Sequence, residues 1–222
     1  MHLTRPTHGF TRILVLAVSP INQPKLRLDE EVREIDEGLR RSKRRDCFKL
    51  EQRWAVGRDD VRRALLDLEP HIVHFCGHGA DEEGLILEDD AGQAKFVSTE
   101  ALENLFELCK DHVECVVLNA CYSEKQANAI AHHIGYVIGM TEAIGDRAAI
   151  KFAVGFYDAL GAGRSVDDAH KFGCSAIQME NLPQYLIPII KINSDAGSAY
   201  TKKIVRKQNP LINRIIYSLK YD

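Results

Sequence analysis

No pair in C-x-x-C spacing occurs among the six cysteines of this 222-residue chain, which fall irregularly at Cys47, Cys76, Cys109, Cys115, Cys121 and Cys174. That excludes a zinc ribbon and argues against a disulfide scaffold, so a reducing compartment, the cytoplasm, is the expected home. Long apolar runs are missing too. The longest stretch without Lys, Arg, Asp or Glu is 126–141. It contains Asn128, His132 and His133, and falls short of the roughly 20 apolar residues of a membrane span. Residues 13–18 are too few for the apolar core of a secretion signal, and Pro20 follows them. An excess of one charge is also lacking, with 29 Lys+Arg against 32 Asp+Glu and a net −3. The chain as a whole is no polycation, and no direct nucleic-acid binding is expected. With 45% hydrophobic residues, disorder is excluded as well.

What is present is one domain's worth of alternating periodicities. Residues 12–18 (RILVLAV) form a continuous apolar run with β-branched members and read as a buried strand. Leu28, Val32, Ile35 and Leu39 lie at helical spacing within 28–45. Residues 48–56 alternate as a strand does, and 59–68 return to helical spacing before Pro70. The same order continues with a strand at 72–76, a hairpin over 84–97 turning at 89–92, and a helix at 99–109. A strand at 114–119, a helix at 123–133, a strand at 136–140 and helices at 146–160 and 166–179 complete the pattern. Repeated β-α units predict a mostly parallel sheet with helices on both faces. Ligands meet such sheets beyond the carboxyl ends of the strands.

From 193 the character changes. Residues 193–222 carry Lys202, Lys203, Arg206, Lys207, Arg214 and Lys220 against two Asp. The chain therefore divides into a domain at 1–192 and a basic C-terminal tail at 193–222.

Two strand ends carry chemistry. In HIVHFCGHG (71–79), His78 stands between glycines directly after a short strand, where the backbone can turn sharply and a ligand can approach closely. In VVLNACYS (116–123), Cys121 follows a strand, and Ser123 is placed to cap the next helix. A thiol near a helix N-terminus, with an imidazole at a neighbouring strand end, makes a Cys–His dyad. Either residue alone is more often a turn histidine or a core thiol; both together at strand ends weigh more. Cys115 and Cys76 lie within strands and Cys109 and Cys174 on helices, so Cys121 alone has a nucleophile's location.

These pieces, with GLILEDDAG (84–92), YVIGMTEAIGDRAAIKFAVGFYDALGAG (136–163) and SVDDAH (165–170), resemble the CHAT domain. That caspase-like module belongs to the cysteine peptidase group containing separases, metacaspases and caspases. The resemblance covers about 12–180 and implies an α/β three-layer sandwich with a mostly parallel central sheet and a β-hairpin insertion. It further implies an endopeptidase in which Cys121 attacks the scissile carbonyl and His78 supports the thiolate and protonates the leaving amine. The backbone N–H groups of Gly79 and Cys121 would hold the oxyanion. No third catalytic side chain is evident, and Asn119 reads as structural. Only 122–135 separates Cys121 from the next strand, so activation by cutting a linker there is not expected. The resemblance points instead to a regulatory protein partner or sensor, with a protein as substrate and no cofactor.

A pocket for a Lys or Arg side chain needs a carboxylate at its base, and Glu142 and Asp146 are the candidates. Arg147 pointing inward would argue for an acidic side chain instead, and a solvated helix start explains all three as well. Asp81, Glu82 and Glu83 after Gly79 are candidates to shape the entrance, and a solvated turn explains them equally well. His71, His74, Cys76 and His78 offer an alternative metal set, since alternation turns 74, 76 and 78 to one side; burial of His74 under helices is the plainer account, and no metal is expected. The run RRSKRR (40–45) reads as a solvated helix end. The alternative to a peptidase is a catalytically silent caspase-like scaffold for protein–protein interaction.

Overall fold

The computed structural model describes residues 9–80 and 84–193. The expectations for Asp81, Glu82, Glu83 and the basic tail beyond Asn193 lie outside the described residues. Within them runs the order β1 (Thr11–Ala17), α1 (Leu28–Arg41), β2 (Phe48–Trp54), α2 (Arg58–Leu68), β3 (Ile72–Cys76), β4 (Gly79–Ala80), β5 (Gly84–Glu88), β6 (Ala94–Val97). It continues with α3 (Thr99–Cys109), β7 (Cys115–Asn119), α4 (Glu124–Ile130), β8 (Tyr136–Met140), α5 (Asp146–Gly161), α6 (Val166–Met179) and β9 (Pro188–Ile192).

The main sheet has the order β2-β1-β3-β7-β8-β9. Its first five strands are parallel and β9 runs antiparallel to β8 at one edge. Alternation along each strand builds two cores. Ile13, Val15 and Ala17 of β1 pack with α1, α5 and α6, whereas Leu14 and Leu16 pack with α2, α3 and α4. β7 divides the same way, with Cys115 and Val117 on one face and Val116 and Leu118 on the other. Strands buried on both faces read as continuous apolar runs, which is why 12–18 was legible as one. The expected three-layer α/β sandwich with a mostly parallel sheet is thus the observed architecture.

Three details differ from the expectation. The hairpin of β5 and β6 gains β4 as a third strand. β9 was not anticipated: its run is short, and a leading Pro188 disguises it, although proline is tolerated at the first position of an edge strand. α1 ends at Arg41 rather than running to 45, with Ser42 extended behind it. The basic run then disperses: Arg40 pairs with Asp36 at 2.9 Å, and the Arg44 guanidinium lies against Gly163 at the end of α5. No helix among the described residues is long and apolar enough to cross a membrane.

Candidate active site

The two candidate residues reach the same edge of the sheet by register. β3 and β7 are adjacent and parallel, with Cys76 opposite Asn119. His78 and Cys121 each lie two residues beyond that matched pair. The Gly77 N–H donates to the Asn119 carbonyl at 3.4 Å, so the two loops leave the sheet side by side. Gly79 then runs directly against the Cys121 turn. A Cβ there would lie 2.1 Å from the Cys121 carbonyl oxygen and 3.3 Å from the Ala120 methyl, a space only glycine leaves open.

His78 is partly exposed, and its Nε2 lies 2.8 Å from the Pro24 carbonyl oxygen. A carbonyl only accepts, so Nε2 carries the hydrogen and Nδ1 is the nitrogen left for proton exchange. The loop bearing Pro24 follows β1 and is fastened to the hairpin. The Glu88 carboxylate accepts from the Ser19 N–H at 3.0 Å, and Asn22 Oδ1 from the Ala94 N–H at 2.8 Å. Backbone bonding of Ile21 N–H to the Gly92 carbonyl at 2.9 Å completes the attachment. The hairpin insertion therefore supports the histidine's orientation at one remove.

Cys121 is also partly exposed, and its thiol approaches the Ile144 carbonyl oxygen at 3.7 Å. Among the described residues, neither ring nitrogen of His78 is hydrogen-bonded to that thiol. Tyr122, next in the chain, has φ +55 and donates its N–H to the Glu142 carbonyl at 3.3 Å. A left-handed backbone at a non-glycine residue costs about 1–2 kcal/mol and marks a sharp turn directly after Cys121.

Ser123 does not cap the following helix by its side chain, contrary to expectation. Its buried hydroxyl instead donates to the Leu118 carbonyl at 3.0 Å and accepts from the Met140 N–H at 2.9 Å, joining β7 to β8. The helix behind it has only seven residues, and the partner of the Cys121 thiol is the Ile144 carbonyl.

Gly79 sits opposite Leu85 in the β4–β5 pair, and the Ile86 N–H donates to the His78 carbonyl at 3.2 Å. Antiparallel ladders alternate bonded and non-bonded pairs, so the Gly79 N–H is directed away from β5.

Glu142 is exposed and Asp146 half-buried at the start of α5. A cavity of about 290 Å³ beside Tyr122 is lined by Tyr122, Glu124, Lys125, Asn128 and Thr141, and by neither of those two acids. Arg147 does not point inward. It pairs with Glu180 beyond α6, and Lys151 pairs with the same carboxylate at 2.8 Å, so the two cations hold the Glu180 carboxyl below its usual range.

The four-residue metal set does not assemble. His71 Nδ1 accepts from the Arg12 N–H at 3.1 Å, and His78 leaves the strand direction once β3 ends at Cys76. His74 and Cys76 do share a face, as alternation required, and meet Glu31 of α1 with ligand atoms within 4.8 Å of one another. Both His74 nitrogens are already engaged, Nε2 with Glu31 at 2.8 Å and Nδ1 with the Tyr157 hydroxyl at 3.1 Å. Glu31 and Tyr157 were missed from sequence. A signal existed for Glu31, since it stands three residues after Leu28 and so falls on the apolar stripe of its helix.

A doubly covered parallel sheet, with a cysteine loop and a histidine loop adjacent at its carboxyl edge, defines the caspase-like class of α/β folds. Two solved structures share the fold. A secreted C11 cysteine protease from Bacteroides thetaiotaomicron, solved with an irreversible peptide inhibitor, superposes with a TM-score of 0.59 at 15% identity, covering 77% of this chain and 60% of that one. Caspase-1 from Spodoptera frugiperda does so with a TM-score of 0.53 at 13% identity, covering 84% and 87%. The CHAT domain family matches residues 18–172, and the chain belongs to that family. Among curated relatives, a Roc-COR-CHAT protease from an unknown prokaryotic organism is 27% identical over 187 residues, which is 81% of this chain and 18% of that protein. A probable protease from Gillisia limnaea is 24% identical over 173 residues, 76% of this chain and 31% of its own. The chain thus spans less than a third of these relatives' lengths.

Proposed function

We propose that this chain is a caspase-like cysteine endopeptidase acting on a protein substrate through Cys121 and His78. One observation supports the reading most: the His78 and Cys121 loops leave adjacent strands at the same register and touch at Gly79. With Nε2–H donated to Pro24, Nδ1 of His78 takes the thiol proton once Cys121 turns from the Ile144 carbonyl. The thiolate attacks the scissile carbonyl carbon, and the new oxyanion is held by the N–H groups of Gly79 and Cys121. Each such donor is generally worth about 10²- to 10³-fold in rate. His78 returns its proton to the leaving amine, and water then hydrolyses the thioester.

Control by a regulatory partner or sensor belongs to the same proposal. The thiol at rest faces a backbone carbonyl rather than the imidazole, and the protease relatives carry most of their length outside the matched region. The cytoplasm is the proposed location, in keeping with six free thiols.

The test is cleavage-site proteomics on cells or lysates exposed to the protein, against its Cys121→Ala and His78→Ala variants. New protein termini that appear only with the unaltered chain are expected, both variants being folded and inactive. Cleavage retained by either variant removes the dyad. No cleavage by any of them, with specific protein partners captured equally by all three, leaves the scaffold reading.

A further inference from the structure

Beneath the two loops lies a buried polar chain that the peptidase chemistry does not use. Glu31 is the one acid of the first turn of α1 that turns inward, and it is 3% exposed. An isolated buried carboxylate is costly unless donors surround it. Here no Lys or Arg among the described residues reaches it, and its Oε1 accepts from His74 Nε2 at 2.8 Å and from Asn119 Nδ2 at 2.7 Å. His74 Nδ1 in turn is hydrogen-bonded to the Tyr157 hydroxyl at 3.1 Å. His74 therefore bridges Tyr157 and Glu31, with Asn119 donating to the same carboxylate oxygen from the other side. Burial pushes the Tyr157 hydroxyl well above its usual range, which keeps it a donor.

Asn119 is where this chain meets the site. Its second Nδ2 contact goes to the Ala149 carbonyl of α5 at 3.2 Å, and its own carbonyl accepts from Gly77, next to His78. Cys121 follows two residues later. Among the described residues the amide's Oδ1 is buried without a partner, a costly disposition. Glu31 explains it: a carboxylate can only accept, so the amide must present nitrogen to it, whatever that leaves for the oxygen.

We propose that Glu31 is a positioning residue for the Cys121 thiol, acting through Asn119, an inference that rests on Cys121 being the nucleophile. The contact fixes where β7 ends relative to α1, β3 and α5, and hence where the sulfur sits against His78. Apolar side chains of matching volume would fill the same space with equal or greater stability. What they would lack is the directional hold on the amide, and a displacement of about 1 Å at a reacting atom can cost up to about 10²-fold.

The experiment measures iodoacetamide labelling of each cysteine in the full chain by mass spectrometry, with exposed Cys47 as the internal reference, alongside substrate cleavage. Glu31→Leu and Asn119→Leu are each expected to slow Cys121 labelling about tenfold and to lower kcat more than they raise KM. The double variant should be no slower than the worse single one, and Glu31→Gln, which keeps an acceptor oxygen, should recover most of the rate. Unchanged or faster Cys121 labelling in the Leu variants overturns the proposal. So does labelling that spreads to the buried Cys76 and Cys115, since that reports a loosened fold, including a variant that fails to fold. The labelling arm reads positioning even if the unaltered protein cleaves nothing, so a failure of the peptidase reading stays distinct from a failure of this one.

Discussion

His78 donates its Nε2–H to the carbonyl oxygen of Pro24 at 2.8 Å, a contact between residues 54 apart in sequence. The group that orients the imidazole is thus a backbone oxygen on the loop after β1. That loop is anchored in turn by the β5–β6 hairpin through Glu88 and Gly92. Holding Nε2 leaves Nδ1 as the ring nitrogen open to a second partner, which the proposed dyad takes to be the Cys121 thiol.

Gly79→Ala should abolish cleavage while the protein still folds. The added methyl meets the Cys121 carbonyl at 2.1 Å, so one of the two loops must move. Overpacking of this kind costs about 1–3 kcal/mol. Urea unfolding together with a cleavage assay checks both halves; activity within a few-fold of the unaltered chain contradicts the tight contact.

Cysteine identity offers a second check. Burial raises the thiol pKa of Cys76 and Cys115 well above the usual range, and pushes that of Cys174 up to about 11. In the native protein at neutral pH, iodoacetamide should modify Cys121 and Cys47 and spare Cys76 and Cys115. Cys115→Ala should keep full cleavage activity with a stability loss of about 1 kcal/mol. If Cys115→Ala is the inactive variant, the nucleophile has been misassigned.

Stability should depend on His170 in weakly acidic solution. Burial lowers its pKa, against a hydrogen bond to the Pro188 carbonyl at 2.9 Å that raises it. The unfolded chain therefore takes up the proton more readily than the folded one. Its contribution is complete above about pH 6.5, the unfolded value, and is lost as pH falls toward the lower folded pKa. His170→Gln, which can still donate to Pro188, should flatten the decline in urea midpoint between pH 7 and pH 5. An unaltered decline excludes His170 as its source.

Substrate preference tests the two acids beyond β8. If Glu142 or Asp146 receives a basic side chain, Glu142→Lys or Asp146→Lys should lower cleavage after Lys and Arg by tenfold or more, because like charges then meet in the pocket. Profiling cleaved peptides with each variant reads this directly. An unchanged preference in both assigns the pocket elsewhere, with the cavity lined by Glu124 and Lys125 as the next place to mutate.

How much could be read in advance differs between elements. β1, β3, β7 and β8 were legible because strands buried on both faces leave uninterrupted apolar runs in their sequence, and α5 and α6 because an apolar stripe recurs at helical spacing. β9 was not, since five residues beginning with Pro188 acquire their meaning only from pairing with β8. His78 and Cys121 could be singled out by type and by their place after strands. Their supports could not: Pro24 and Ile144 act through carbonyl oxygens that every residue possesses.

Local order in this protein is a property of the sequence alone, because strand and helix periodicity depends on neighbours a few positions away, and so does the appearance of a histidine and a cysteine just past two strands. Tertiary structure alone decided that β3 and β7 lie side by side in matched register, that Pro24 takes the histidine's hydrogen, and that Glu31 reaches His74 and Asn119 across 43 and 88 residues. Such partners are chosen by topology and packing, where distance along the chain carries no information about distance in space.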